Sequence, residues 1–248
     1  MKVRNILVSQ PKPSNGKSPY YDLSEKHKIK IDFRPFIQVK GLSGKEFRAS
    51  KINILNHSAV IFSSKTAIDH YFRICKELRV AVPDSMKYFC ITEQTAFYLQ
   101  KYIVYRKRKI FYGKSKIQDL IDILLKHKEE KFLVPLSDIH KEEIPMLLTK
   151  NQLNFTKAIF YKTISSDLSD LADVNYDILV FYSPSGIISL LENFPEFKQN
   201  STKIASFGAT TLKAVKEAGL KANIQAPNPK APSMTMALDQ FILDLKKK

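Results

Sequence analysis

Hydroxyl residues recur in this sequence where an apolar run gives way to a helical pattern: Ser63-Ser64-Lys65-Thr66, Thr92-Glu93-Gln94-Thr95, Ser183-Pro184-Ser185-Gly186 and Gly208-Ala209-Thr210-Thr211. Such residues have two uses at the start of a helix. As N-caps they accept a hydrogen bond from a first-turn N–H, and Ser and Thr are common caps. As binding residues they stand beside N–H groups with no intrahelical acceptor and beside the positive end of the helix dipole, which suits a carboxylate or phosphate. In open α/β sheets ligands gather beyond the carboxyl ends of the strands, where these turns would lie. Capping explains any one of them; four in related pairs point to anion binding as well. Pro184 suits the first helical position, with Ser183 as cap.

Other reactive residues carry less. Tyr161 lies in a β-rich segment, Lys157 to Ile164, and is read either as strand packing or as a side chain facing a cleft. The run Arg106-Lys107-Arg108-Lys109 reads as a solvated strand edge rather than a nucleic-acid contact. His27, His57, His70, His127 and His140 show no metal-ligand spacing and are expected at the surface. No P-loop, G-x-G-x-x-G or G-x-S-x-G is present, so nucleotide cofactors and hydrolase elbows lack support.

The elements that must position these residues alternate between strand and helix. Near-continuous apolar runs at 5–8, 59–62, 132–134, 178–181 and 204–207 predict parallel strands covered on both faces. Ile117, Leu120, Ile121, Leu124 and Leu125 follow helical spacing, with Ser115 as the expected cap. Leu238, Phe241, Ile242 and Leu245 do the same after Ser233, and Gly219 is placed to end a helix through Leu212 and Val215. The segment 58–64 resembles 177–183, and 90–95 resembles 206–211, at nearly the same offset, so the chain reads as two related α/β lobes. Segments 33–40 and 157–164 bracket the first copy and are expected to be the strands that link the lobes. The expected lobes are 42–160, and 1–37 with 166–248.

Composition narrows the function classes. With 44% hydrophobic and 26% charged residues in 248, the chain is globular rather than disordered. No run approaches the roughly 18 apolar residues of a membrane span. The opening Met1–Val8 has no longer apolar stretch or small-residue cleavage site, so no signal peptide is expected, and Cys75 and Cys90 are too few for a disulfide framework. A cytoplasmic location is the expectation. Forty Lys and Arg against 24 Asp and Glu leave a net charge of +16, a field that favours polyanions: nucleic acid, an anionic surface or a small polycarboxylate. The cations are scattered rather than gathered in one block, which speaks against a nucleic-acid reader.

Taken in order, Phe181-Tyr182-Ser183-Pro184-Ser185-Gly186, Ile204 to Thr211, Ala218-Gly219-Leu220 and Ala226-Pro227 resemble the C-terminal half of uroporphyrinogen-III synthases. Ile61 to Ile68, Phe160-Tyr161-Lys162-Thr163 and Ile6 to Pro11 resemble that family's earlier turn, returning strand and opening strand. The resemblance implies two α/β lobes with parallel sheets covered by helices, joined by a two-stranded β ladder. It implies closure of hydroxymethylbilane to uroporphyrinogen III in haem biosynthesis, with loss of water, inversion of ring D and no metal or organic cofactor. It implies a small polycarboxylate tetrapyrrole as partner for a monomeric enzyme, with no membrane and no specific nucleic acid; a non-catalytic two-lobed binding relative is the alternative. By matching position, Ser64, Lys65, Thr66, Thr95, Ser183, Ser185, Gly186, Thr210 and Thr211 would contact substrate, and Tyr161 would be the proton donor. Where the family often has threonine-arginine-proline, arginine and glycine, this chain has Ser9-Gln10-Pro11, Thr66 and Thr92. The 183–186 and 208–211 turns keep the pattern and are expected to form the main anion-binding surface.

Overall fold

The structure, a computed structural model, describes residues 2–14, 16–172 and 174–247. In chain order the elements begin with β1 (Asn5–Val8), α1 (Pro19–His27), β2 (Lys30–Phe33), β3 (Ile37–Gly41) and α2 (Gly44–Ala49). There follow β4 (Ala59–Phe62), α3 (Lys65–Glu77), β5 (Lys87–Cys90), α4 (Glu93–Tyr98), β6 (Ile110–Tyr112), α5 (Ile121–Lys126) and β7 (Phe132–Ser137). The chain continues through α6 (Glu143–Lys150), β8 (Phe155–Ser165), β9 (Ile178–Phe181), α7 (Pro184–Asn193), β10 (Lys203–Phe207), α8 (Ala209–Glu217), β11 (Ala222–Ala226) and α9 (Met234–Lys247). Contacts divide it into two compact units: Met1–Gln38 with Ile164–Lys248, and Val39–Thr163. The boundary falls inside β3 and inside β8, which are neighbours in one sheet.

The first unit is built on a sheet ordered β11-β10-β9-β1-β2, parallel at every pairing. Side chains alternate across a strand, so a sheet covered on both faces needs apolar residues at successive positions. Ile6, Val8, Ile178, Val180 and Ala205 face one core with α1 and α9 residues such as Leu23 and Leu238. Leu7, Leu179, Phe181 and Ile204 face the other, with Ile187 and Leu190 of α7 and Val215 of α8.

The second unit repeats the logic. Its sheet runs β3-β8-β7-β4-β5-β6, parallel from β8 to β6. Val60 and Phe62 join Tyr71, Ile74 and Phe160 on one side, while Ala59 and Ile61 join Phe132, Leu120 and Leu124 on the other. The α/β architecture with parallel, helix-covered sheets is the one expected. In both units the two strands of the sequence repeat lie side by side, β4 against β5 and β9 against β10.

Local details depart from expectation. Segment 33–40 is not one strand: β2 ends at Phe33 and β3 begins at Ile37. Pro35 interrupts it, because proline has no N–H to give a ladder. Ser115 does not cap the next helix. The Asp119 carboxylate instead accepts from the N–H groups of Lys114, Ser115 and Lys116 at 3.1, 2.8 and 3.0 Å, and a 3-10 turn over Ile117–Leu120 precedes α5. Residues 107–109 form the turn before β6 rather than a strand edge. None of the five histidines is fully exposed. His27 is buried, its Nε2 2.6 Å from Asp239 Oδ1, because α1 and α9 pack over it. Gly219 takes φ +71° just past α8, as a helix-ending glycine should. Among the described residues no helix is long and apolar enough to cross a membrane.

Candidate functional site

In the first unit, β1, β9 and β10 are adjacent and parallel, which brings their carboxyl ends and the starts of α7 and α8 to one edge. Ser183 caps α7: its backbone is extended and its Oγ accepts from the Gly186 N–H at 3.3 Å. Gly186 sits in close packing. A Cβ there would lie 3.2 Å from Phe181 Cδ1, 3.7 Å from Ser9 Oγ and 3.8 Å from Ser183 Oγ. Ser9, Ser183 and Gly186 are thus brought together, while Ser185 stands half-exposed beside them.

The start of α8 differs. Its cap is Gly208, at φ 85° and ψ 155°, and no side chain accepts from its first turn. The Gly208 N–H donates to the Ala226 carbonyl at 2.6 Å and Leu212 closes onto Gly208 at 3.1 Å. The N–H groups of Ala209, Thr210 and Thr211 have no acceptor among the described residues. Thr210 is exposed, whereas Thr211 is 1% exposed and its hydroxyl has no hydrogen-bond partner among the described residues. Thr211 thus packs its side chain inward, and its N–H rather than its hydroxyl is turned to the helix start.

A cavity of about 350 Å³ opens at the same edge, lined among others by Gln10, Phe33, Tyr182, Phe207 and Ser233. The Tyr20 and Tyr182 hydroxyls are 2.6 Å apart there, and burial, then the neighbouring Tyr182, pushes the Tyr20 phenol well above its ordinary value. Tyr182 belongs to the quoted family pattern, but neither tyrosine was expected at a site. Ser18-Pro19, the cap and first residue of α1, was the available signal that Tyr20 sits on a helix.

In the second unit Ser64 caps α3, accepting from the Ala67 N–H at 3.1 Å and leaving the N–H groups of Lys65 and Thr66 without an acceptor among the described residues. Thr92 caps α4, accepting from the Thr95 N–H at 3.2 Å, and its Oγ1 lies 2.9 Å from that of Thr95. Thr95 is buried, so its hydroxyl serves the helix start rather than an open surface. The Lys65 ammonium reaches over the Tyr98 ring at 5.5 Å.

Tyr161 lies on β8 opposite Ser137 of β7 and bounds a cavity of about 330 Å³ with Ser63, Ser115, Lys116, Ser137 and His140. Its ring stacks on His70 with centroids 5.0 Å apart. Burial raises the Tyr161 phenol above its ordinary value, opposed by a hydrogen bond with Ser64. His70 is held below its ordinary value by burial and then by Arg73, whose Nε donates to His70 Nδ1 at 3.3 Å. Tyr161 is therefore a neutral phenol beside a neutral imidazole, able to donate a hydrogen bond. Of the predicted residues, Tyr161 and Ser64 are brought into contact. Ser63 lay in a quoted turn, but Lys116 was missed and His140 was expected at the surface, because nothing local marks a loop residue as lining a cavity between strands.

The turns can hold carboxylates and the phenol can give a proton. The family model described as Uroporphyrinogen-III synthase HemD matches residues 19–236. No curated protein sequence matches the chain. Among solved structures, uroporphyrinogen-III synthetase from Helicobacter pylori 26695 has a similar fold at 18% identity and TM-score 0.59, covering 99% of this chain and 100% of that one. A mutant uroporphyrinogen III synthase from the extremely thermophilic bacterium Thermus thermophilus is similar at 13% identity and TM-score 0.52, with the same coverage. With the family pattern extending over most of its length, the chain belongs to the uroporphyrinogen-III synthase family.

Proposed function

We propose that the protein closes hydroxymethylbilane to uroporphyrinogen III, losing the ring A hydroxyl as water and inverting ring D. The match to the family over residues 19–236 carries this reading. The geometry supports particular roles. The open first turn of α8, with the Thr210 hydroxyl, and the Ser183–Gly186 turn bind substrate carboxylates. Within the second unit, the Lys65 ammonium and the Lys65 and Thr66 N–H groups suit a carboxylate of their own, and Ser64 lies beside the Tyr161 hydroxyl. A net charge of +16 favours a substrate with eight carboxylates.

Tyr161 is the proposed proton donor to the departing hydroxyl. Its raised pKa makes it a weak acid, but without a proton the leaving group would be hydroxide, a stronger base than tyrosinate, so the phenol can protonate the departing oxygen and let it leave as water. The proton is returned when the closing macrocycle loses one from pyrrole carbon, so the phenol is restored each turnover. The reading further takes the enzyme to be a cytoplasmic monomer without a specific nucleic-acid partner.

Freshly made hydroxymethylbilane, incubated with the protein and oxidised, should give type III uroporphyrin on chromatographic separation. Only type I product, at the rate seen without protein, would overturn the assignment.

A further inference from the structure

A second cavity in the Val39–Thr163 unit, about 690 Å³, takes no part in the chemistry above. Its size is that of small-molecule sites. It lies between α3 and the segments leading into β5 and β6, beside Tyr88 and Ile110 near the amino ends of those strands. Ser63 and Ile91, which line the Tyr161 cavity, follow the carboxyl ends of β4 and β5, so the two cavities occupy opposite ends of the sheet.

Its wall is aromatic. Phe72 and Tyr102 stack with centroids 4.5 Å apart at 7°, and Tyr88 lies 6.4 Å from Phe72. Val80, Val82 and Met86 complete an apolar lining. The rim is basic. Lys76, exposed in the last turn of α3, has no carboxylate partner among the described residues, and Lys109 Nζ meets the backbone carbonyl of Asp84. Of the carboxylates, Asp69 accepts from Tyr98, Tyr102 and Lys101, with Lys101 at 2.9 Å, while Asp84 points into solvent, 92% exposed, with Arg106 at 3.9 Å. Aromatic side chains beside cations without carboxylate partners suit a flat ring bearing one acid group, which meets the edges of the stacked pair because Lys101 lies over the Tyr102 ring.

We propose that this cavity binds a planar aromatic monoanion, its rings against the Phe72–Tyr102 wall and its acid group at the Lys76 and Lys109 rim. The proposal does not depend on the reaction assigned above.

Titration of the full chain with 8-anilinonaphthalene-1-sulfonate, followed by its fluorescence, tests this directly, since the protein has no tryptophan to interfere. One saturable site is expected. N-phenyl-1-naphthylamine, the same rings without the sulfonate, should bind about tenfold more weakly or worse. Lys76→Glu, an exposed change that leaves the fold intact, should weaken the sulfonate about tenfold, and Val82→Trp, which fills the cavity, should abolish the site. Type III product formation should persist in Lys76→Glu. Absence of saturable binding, equal affinity for the uncharged probe, or Lys76→Glu binding as tightly as wild type would overturn the proposal, whether or not Val82→Trp folds.

Discussion

The helix that starts after Gly208 and the helix that starts after Ser64 belong to different copies of the sequence repeat, at places that do not correspond (Ser64 matches Ser183, Gly208 matches Thr92), and they leave their first turns in different states. Ser64 engages its hydroxyl with the Ala67 N–H, beside Tyr161. Gly208 has no side chain to engage, and the three N–H groups that follow it stay open. A glycine cap gives up a stabilising contact and keeps an anion site, whereas a serine cap secures the helix and, here, orients a phenol. The proposed division is that the first unit mainly holds charge and the second mainly moves a proton.

Tyr161→Phe should break the comparison most sharply. Removing a general acid costs about 10²-fold or more in kcat, and if the division holds, KM should change little. Stopped assays of type III product would show it; a variant with normal kcat would remove the second unit's proposed role. Because burial raises the Tyr161 pKa, the phenol stays protonated through neutral pH and beyond its ordinary value near 10. The wild-type kcat profile should therefore show no alkaline limb from this group below about pH 10.

Thr210→Ala and Thr211→Val form a contrasted pair within α8. A hydrogen bond to a charged group is worth about 1.5–3 kcal/mol, so Thr210→Ala should lower kcat/KM roughly ten- to a hundredfold, mainly through KM. Thr211→Val removes a buried hydroxyl with no partner among the described residues, so it should leave kcat/KM unchanged and Tm equal or higher. Equal losses in both variants would mean that the inward and outward positions of the two threonines are not what matters.

Gly208→Ala probes the cap itself. At φ 85° and ψ 155° a Cβ is strained even though nothing lies within 4 Å of it. The cost should be about 1–3 kcal/mol in urea unfolding. Ser64→Ala, for comparison, should cost about 1 kcal/mol through the lost cap. Equal Tm for Gly208→Ala and wild type would show that α8 can start another way.

The smallest effect separates the units by alkaline stability. Both thiols lie in the second unit, and burial pushes Cys75 and Cys90 up to about 12 from 9.0. Above pH 9 an unfolded chain loses thiol protons that the folded chain keeps, so stability present at lower pH declines as pH rises from about 9 toward 12. Urea midpoints at about pH 7.5 and 9.5 should differ in the wild type and differ less in a Cys75→Ala, Cys90→Ala double variant.

Strand positions were legible because a sheet covered on both faces needs consecutive apolar residues: Ala59–Phe62 and Ile178–Phe181 allow no simpler reading. The Ser183-Pro184 start of α7 and the Gly219 end of α8 were legible for a similar reason, since cap chemistry is local. Strand breaks and charged turns were less so, as Pro35 and the Arg106–Lys109 run show.

What sequence order alone determined, then, were the properties that reside in a few successive residues: strand runs, helix caps, and the family pattern from Phe181 to Thr211. Tertiary structure decided which hydroxyls face outward and which groups meet. Thr210 and Thr211 are neighbours of like chemistry, but the helical rotation of about 100° per residue puts one outside and one against the core. Tyr161 meets His70 and Ser64 because α3 packs against the sheet that contains β8, a pairing nearly a hundred residues apart that no local rule encodes.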